Sequence, residues 1–254
     1  MKRTNTVCVA KMYRYLIRLS YDGSNYHGWQ IQPNGNSVQE EIQKALSTLL
    51  RFNVEIVGAG RTDAGVHARD MAAHFDVEDG LDGTQLAYRL NRILPRDISI
   101  QSVDEVQQDL HARFSAVSRT YHYYIHTRKD PFLRDHSCEL HYELDFQRMN
   151  EAASYLLGTD DFKAFCKSHT DVKTTVCNVT EAKWVPLSDH SWYFEITANR
   201  FLRNMVRAVV GTLIEVGRGR ISVEEFISIV KGRERTQAGE SMPAHALFLE
   251  KVKY

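Results

Sequence analysis

Hydrophobic positions along the chain switch repeatedly between a two-residue and a 3.6-residue period. Tyr13, Tyr15, Ile17, Leu19 and Tyr21 alternate against Arg14, Arg18 and Ser20, the pattern of a half-buried strand. The loop Asp22-Gly23-Ser24-Asn25 follows. Ser37-Val38-Gln39-Glu40 has the form of a capping box, and Val38, Ile42, Ala45, Leu46 and Leu49 recur behind it at helical spacing, which predicts an amphipathic helix over 37–50. A short strand is expected over 54–57, then a glycine-rich loop from Gly58 to Gly65. Ala73, Phe75 and Val77 alternate with His74 and Asp76 in another strand. Thr84 is placed to cap a helix carrying Leu86, Leu90 and Ile93, which Pro95 would stop.

From about Arg113 the order of elements roughly repeats. A strand is expected over 121–127, a helix over 145–157 ended by Gly158, and strands over 174–185 and 192–198. A long helix over 201–216 stops at Gly217, the box Ser222-x-x-Glu225 opens a short one, and residues 247–254 form a last strand. Strands and helices interleaved with hairpin-length gaps predict an α+β fold of two related halves, 1–112 and 113–254, with mainly antiparallel sheets flanked by helices and a central cleft between them. No low-complexity linker separates the halves, so they should pack closely and could share one sheet.

Composition narrows the setting. A hydrophobic content of 43% over 254 residues supports a sizeable core. No apolar run approaches the roughly 20 residues needed to cross a bilayer, and 4–11 is too short and polar for a secretory signal, so a cytoplasmic protein without a membrane partner is expected. Cys8, Cys138, Cys166 and Cys177 lack the spacing of a zinc site and fit free thiols in a reducing compartment. Lysine and arginine (32) balance aspartate and glutamate (32), so any nucleic-acid surface must be a local patch.

The densest chemistry lies in Gly58-Ala59-Gly60-Arg61-Thr62-Asp63-Ala64-Gly65-Val66-His67-Ala68, where three glycines bracket a carboxylate and a guanidinium. Such a loop lets a ligand approach the backbone closely. A dinucleotide fingerprint would need glycine where Asp63 stands. A surface ion pair in a tight turn is the bland alternative, and the residue types alone leave it open.

At this stretch the sequence resembles the TruA family of tRNA pseudouridine synthases. The resemblance extends, in order, to Tyr21-Asp22-Gly23-Ser24-Asn25-Tyr26-His27-Gly28-Trp29-Gln30, to Ser37-Val38-Gln39-Glu40, to Arg119-Thr120-Tyr121-His122-Tyr123 and to Phe201-Leu202-Arg203-Asn204-Met205-Val206-Arg207. It implies an enzyme that isomerises uridine to pseudouridine in the tRNA anticodon stem-loop, at positions 38 to 40 of the tRNA. It further implies a homodimer whose subunits clamp one tRNA, with Asp63 as the catalytic carboxylate. Tyr121 would lie against the target base, and Arg61 and Arg207 would line the pocket. Met242-Pro243-Ala244-His245-Ala246-Leu247 departs from the family in having alanine where glycine is commoner, at Ala246, which could tighten a turn or narrow a pocket edge.

Chemical reasoning agrees with these roles. The reaction breaks the bond from base nitrogen to ribose, turns the uracil and rejoins it through carbon, and needs no cofactor. One carboxylate suffices, either by covalent attack or by removing a ribose proton. In a dry pocket it needs a cation to stay ionised, and Arg207 is the candidate, on one helical stripe with Arg203 and Arg200. Arg61 could pair with Asp63 or contact a phosphate. Arg69, Arg89, Arg92, Arg96, Arg113 and Arg119 could add phosphate contacts. Tyr121 can stack on an extruded uracil, whereas Tyr123 reads as core. His67 reads as structural, and His122 and His126 would stand ~13 Å apart on a strand, too far to share a metal. Alternatives are an RNA-binding module without catalysis, a synthase acting on another RNA or tRNA position, and a glycosidic hydrolase, which would want a second carboxylate such as Asp22.

Overall fold

The computed structural model describes residues 12–167 and 173–254, so Cys8 and the segment 4–11 lie outside the described residues. The first strand, β1 (Tyr13–Tyr21), pairs antiparallel with β3 (His67–Val77) and with β4 (Ile98–Val106). The short β2 (Val57–Gly58) pairs with β3. In the second part, β5 (Ser118–His126) pairs with β8 (Ser191–Ala198), which pairs with β7 (Val179–Ser188), and β6 (Cys138–Glu139) pairs with β5. The last strand, β9 (Leu247–Lys253), lies between the two groups, parallel to β3 and antiparallel to β5. One mostly antiparallel sheet of order β4-β1-β3-β9-β5-β8-β7 results.

Helices α1 (Val38–Leu50) and α2 (Gly83–Ile93) cover the first group of strands. Ile17, Leu19, Ile42, Leu46, Phe75 and Leu90 are buried there, together with Leu249 and Val252 from β9. Helices α3 (Phe146–Ser154), α4 (Met205–Gly217) and α5 (Val223–Gly232) cover the second group, where Tyr123, Met149, Phe165, Phe194, Val209 and Phe226 are buried with Leu247. The final strand therefore feeds both cores, and its apolar side chains drive the joining of the two sheet groups.

Several expected boundaries shift for local reasons. Asp82, not Thr84, caps α2, its Oδ1 accepting from Gln85 N at 2.9 Å. Asp145 caps α3, which tightens into a 3-10 turn over Tyr155–Gly158. α4 begins at Met205 because Asn204 takes a left-handed conformation, φ 66°. β4 was not anticipated: Ile98 and Ile100 alternate, but a register shift against β1 puts the next buried residue at Val103, out of phase.

Candidate active site

The loop between β2 and β3 rests on the chain that follows β1. Tyr21 Oη and Thr62 Oγ1 share a hydrogen bond at 2.9 Å, Trp29 N donates to Thr62 O at 3.4 Å, and Gly65 N donates to Tyr26 O at 3.3 Å. Val66 N donates back to Asp63 O at 3.2 Å and closes the turn. Gly28, φ +97°, lets the two segments touch, since a Cβ there would sit 2.3 Å from Thr62 O. The two motifs that stand apart in sequence thus form one physical unit.

Arg119 on β5 fixes the other side of the loop. Its Nη1 donates to the carbonyls of Ala116 and Asn199 at 2.9 Å, and its Nη2 to those of Ala59 at 2.9 Å and Arg113 at 2.6 Å. Burial lowers the pKa of this guanidinium, and its donors are spent on backbone. Of the six arginines considered for phosphate contacts, Arg119 is therefore a clamp, and Arg69, Arg89, Arg92 and Arg96 do not line the cleft. Arg113 does.

The loop, β5 and the approach to α4 enclose a cleft of about 1610 Å³. Asp63 is the single carboxylate lining it among the described residues, against seven arginines and Lys167. A neutral chain thus concentrates positive charge at one place. Arg203 Nε lies 3.7 Å from Asp63 Oδ1, and Arg207 Nη1 lies 3.9 Å from Oδ2. Both separations exceed hydrogen-bond length, so the carboxylate is flanked by charge with its oxygens free of hydrogen bonds from the described residues. Such a group can act as nucleophile or base.

Arg207 is held from behind. Its Nε donates to Met242 O at 2.5 Å, and Met242 N donates to Arg207 O at 3.1 Å. Asn204 Nδ2 donates to Ser241 Oγ at 2.5 Å, while Arg235 binds the carbonyls of Ala238 and Gly239 and Ser241 Oγ. The segment before β9 therefore braces the start of α4. Of the expected arginine stripe, Arg203 and Arg207 converge on Asp63, but Arg200 donates to Thr174 O at 3.4 Å. Arg61 is exposed in the cleft and forms no ion pair among the described residues, so of its two considered roles the pairing with Asp63 is not made, and Arg207, the expected partner, flanks Asp63 together with Arg203.

Tyr121 faces Asp63 from β5, its ring edge-on to Phe201 with centroids 5.0 Å apart. Burial, reinforced by the Asp63 charge and opposed by Arg119, pushes its phenol up to about 12. The hydroxyl stays protonated and has no hydrogen-bond partner among the described residues, so it is free to donate.

A family model described as tRNA pseudouridine synthase matches residues 18–115 and 152–254, which include Asp63, Arg203 and Arg207 but not β5. The chain belongs to that family. Enzymes of the tRNA pseudouridine synthase family isomerise uridine to pseudouridine in tRNA. Three relatives, each named tRNA pseudouridine synthase A, match nearly end to end. That of Bacteroides thetaiotaomicron is 56% identical over 96% of this chain and 91% of its own. That of Porphyromonas gingivalis is 52% identical over 96% and 98%, and that of Bacillus subtilis 39% identical over 95% and 99%.

The remaining sequence candidates fall outside the synthase cleft. Asp22 Oδ1 accepts from Ser24 N at 2.9 Å and its Oδ2 bonds His136 Nε2 at 2.8 Å. Burial opposes ionisation, but these bonds and nearby His67 outweigh it and hold Asp22 at about 2. Asp22 does not line the cleft, so the second carboxylate of a hydrolase is missing from the described residues. Asp22, His67 and His136 place ligand atoms within 4.8 Å of one another. His67, however, accepts from Gly23 N through Nδ1 at 3.0 Å and donates to His245 O through Nε2 at 2.8 Å, leaving it no nitrogen for a metal. Burial lowers its pKa, in keeping with a neutral structural ring. His122 bonds Glu195 and His126 bonds Ser137. Ala246 is fully buried in the turn Ala244–Ala246 and does not line the cleft. Among the described residues no helix is long and apolar enough to cross a membrane.

Proposed function

We propose that this chain isomerises uridine to pseudouridine in the anticodon stem-loop of tRNA, with Asp63 as the catalytic carboxylate and Tyr121, Arg61 and Arg207 as substrate-binding residues. One observation carries the reading: a lone carboxylate flanked by two guanidinium groups at 3.7 and 3.9 Å in a cation-lined cleft. The bond from uracil N1 to ribose C1′ breaks, the uracil turns within the site, C5 bonds to C1′, the C5 proton leaves to solvent and N1 takes up a proton. Asp63 either attacks covalently or takes a ribose proton to give a glycal. Arg207 and Arg203 hold positive charge beside it at 3.9 and 3.7 Å. Tyr121 lies along the base and offers its hydroxyl hydrogen. Arg61, exposed and without an ion-pair partner among the described residues, is available to a phosphate beside the extruded nucleotide. The isomerisation is redox-neutral and moves no group between molecules, so the chemistry asks for no cofactor.

A uridine in a stem must leave the stack to react, at a cost of a few kcal/mol that backbone contacts offset. Two copies of the chain acting on one tRNA in the cytoplasm, with the halves of each divided near residue 112, complete the proposal. It is tested by tritium release from tRNA labelled at uracil C5, with the modified sites mapped. Release by wild type but not by Asp63→Asn, from anticodon stem-loop uridines, is the expected result. Release elsewhere would reassign the substrate, and tRNA binding without release would leave an RNA-binding module.

A further inference from the structure

Large apolar residues are exposed at twelve described positions, and only Ile31 and Phe114 among them line the cleft. Phe114 is 76% exposed. Its exposure is built in, because the turn that carries it is pinned on every side. His111 N donates to Ser115 Oγ and Ser115 N to His111 O, both at 2.9 Å. The amides of Arg113 and Phe114 both donate to His111 Nδ1, at 3.1 and 3.3 Å. Ala112 N donates to buried His74 at 3.1 Å, and Ala112 O accepts from Tyr254 Oη at 2.7 Å. The Phe114 ring lies 4.4 Å from that of His111, which lies 4.8 Å from His74. Three rings thus run from the core to the cleft, ending in one that meets solvent beside the Arg113 guanidinium, 5.8 Å from its centroid.

A rigid mount that offers an apolar ring to water gains nothing for folding, since the same ring turned inward would bury its surface. In a cleft walled by cations it suits a ligand that carries both negative charge and flat apolar faces, which is a nucleic-acid strand. Extruding one nucleotide also breaks the stack of its neighbour, and an aromatic ring is the side chain that can restore it. We propose that Phe114 is the stacking surface for the RNA base flanking the extruded uridine, with Arg113 on the adjoining phosphate. The inference rests on the reading of the chain as a synthase that extrudes uridine from tRNA.

The test uses tRNA carrying 2-aminopurine beside the mapped uridine, bound to the full chain in the Asp63→Asn background so that no turnover is required. The fluorescence change on binding should be retained in Phe114→Trp and lost in Phe114→Ala and Phe114→Leu. With Asp63 intact, Phe114→Ala should slow single-turnover formation of pseudouridine about five- to hundredfold, the weight of one stacked base. Thermal melts of all three variants should match wild type, since the side chain is exposed. Unchanged fluorescence and rate in Phe114→Ala would overturn the proposal while leaving the activity standing. A Phe114→Trp emission that follows protein concentration and ignores RNA would overturn it in favour of a second copy of the chain. Fluorescence that depends on Phe114 in a chain unable to modify any tRNA would instead sink the isomerase reading and keep the stacking surface.

Discussion

Arg207 faces Asp63 across 3.9 Å and cannot close the gap, because its Nε is held on the Met242 carbonyl at 2.5 Å. Charge is delivered without a hydrogen bond that would occupy the carboxylate. At about 4 Å such a pair is worth on the order of 1–4 kcal/mol, here toward the lower end because both groups reach solvent. Lysine keeps the charge but has a single ammonium, which cannot bind Met242 and address Asp63 together. Arg207→Lys should therefore lower the single-turnover rate about ten- to hundredfold, and Arg203→Lys, at an exposed and unbraced position, less than about threefold. Equal losses at both positions would mean that Asp63 senses only a general field.

Tyr121 supplies a second, separable test. With its phenol pushed up to about 12 it remains protonated across the usable assay range, so the wild-type rate should show no fall near pH 10 from its ionisation. Tyr121→Phe keeps the edge-on contact with Phe201 and removes the unpartnered hydroxyl. Its melting temperature should match wild type while turnover falls at least about tenfold, the usual weight of a positioned proton donor. A fully active Tyr121→Phe would reduce the role of the residue to its ring.

What could be read in the sequence depended on whether a signal was local. The strand at 13–21 and the helix behind Ser37 were legible because period and cap coincide there, and Asp63 stood out because its loop is dense in glycine. Arg207 came from the family resemblance, since its helical spacing to Arg203 reads by itself as a solvated basic face. The bracing of Arg207 by Met242 and the gathering of Lys167 and Arg235 into the cleft are long-range events that no local pattern encodes. β4 was hidden by its register shift, and the insertion of β9 between β3 and β5 is a matter of topology.

Arg119 shows the same limit from the other side, since its charge suggested RNA while its four carbonyl contacts assign it to the scaffold. Arg119→Lys cannot reproduce four carbonyl contacts, two of them part-buried, and should cost about 1–3 kcal/mol of stability. Its effect on tRNA affinity, measured where the variant is still folded, should show no change in salt dependence, whereas a lost phosphate contact would reduce the slope by about one.

Acid should loosen the mount of Phe114. Burial, with help from Arg14 and His111, pulls His74 down to about 4, so its Nδ1 is neutral and accepts from Ala112 N in the folded chain. The unfolded chain binds that proton near the ordinary value of about 6.5. The contribution of His74 is thus fully present above about pH 6.5 and is lost as pH falls toward 4, on the order of 2 kcal/mol. Urea melts between pH 7 and 4 should show this slope, and His74→Gln should flatten it. A slope confined below pH 4 would point instead to carboxylates that the fold holds low, among them Asp22 at about 2, Asp76 and Asp161.

Gly28 tests whether the first two motifs act as one unit. Alanine there meets two obstacles at once: the left-handed φ of +97°, and a backbone carbonyl, Thr62 O, 2.3 Å from the new methyl carbon. Because the carbonyl cannot rotate away as a side chain could, the loop itself must shift, and Asp63 is the next residue along it. The strain should cost about 1–3 kcal/mol of stability. Turnover should fall further than that loss alone explains, because a displacement of about 1 Å at a reacting group can cost about a hundredfold. Gly60→Ala is the control, since a methyl there meets nothing within 4 Å. Melts and single-turnover rates of the two variants should therefore diverge, and a Gly28→Ala enzyme that loses stability while keeping its rate would show that Asp63 is positioned by the arginines rather than by the loop beneath it.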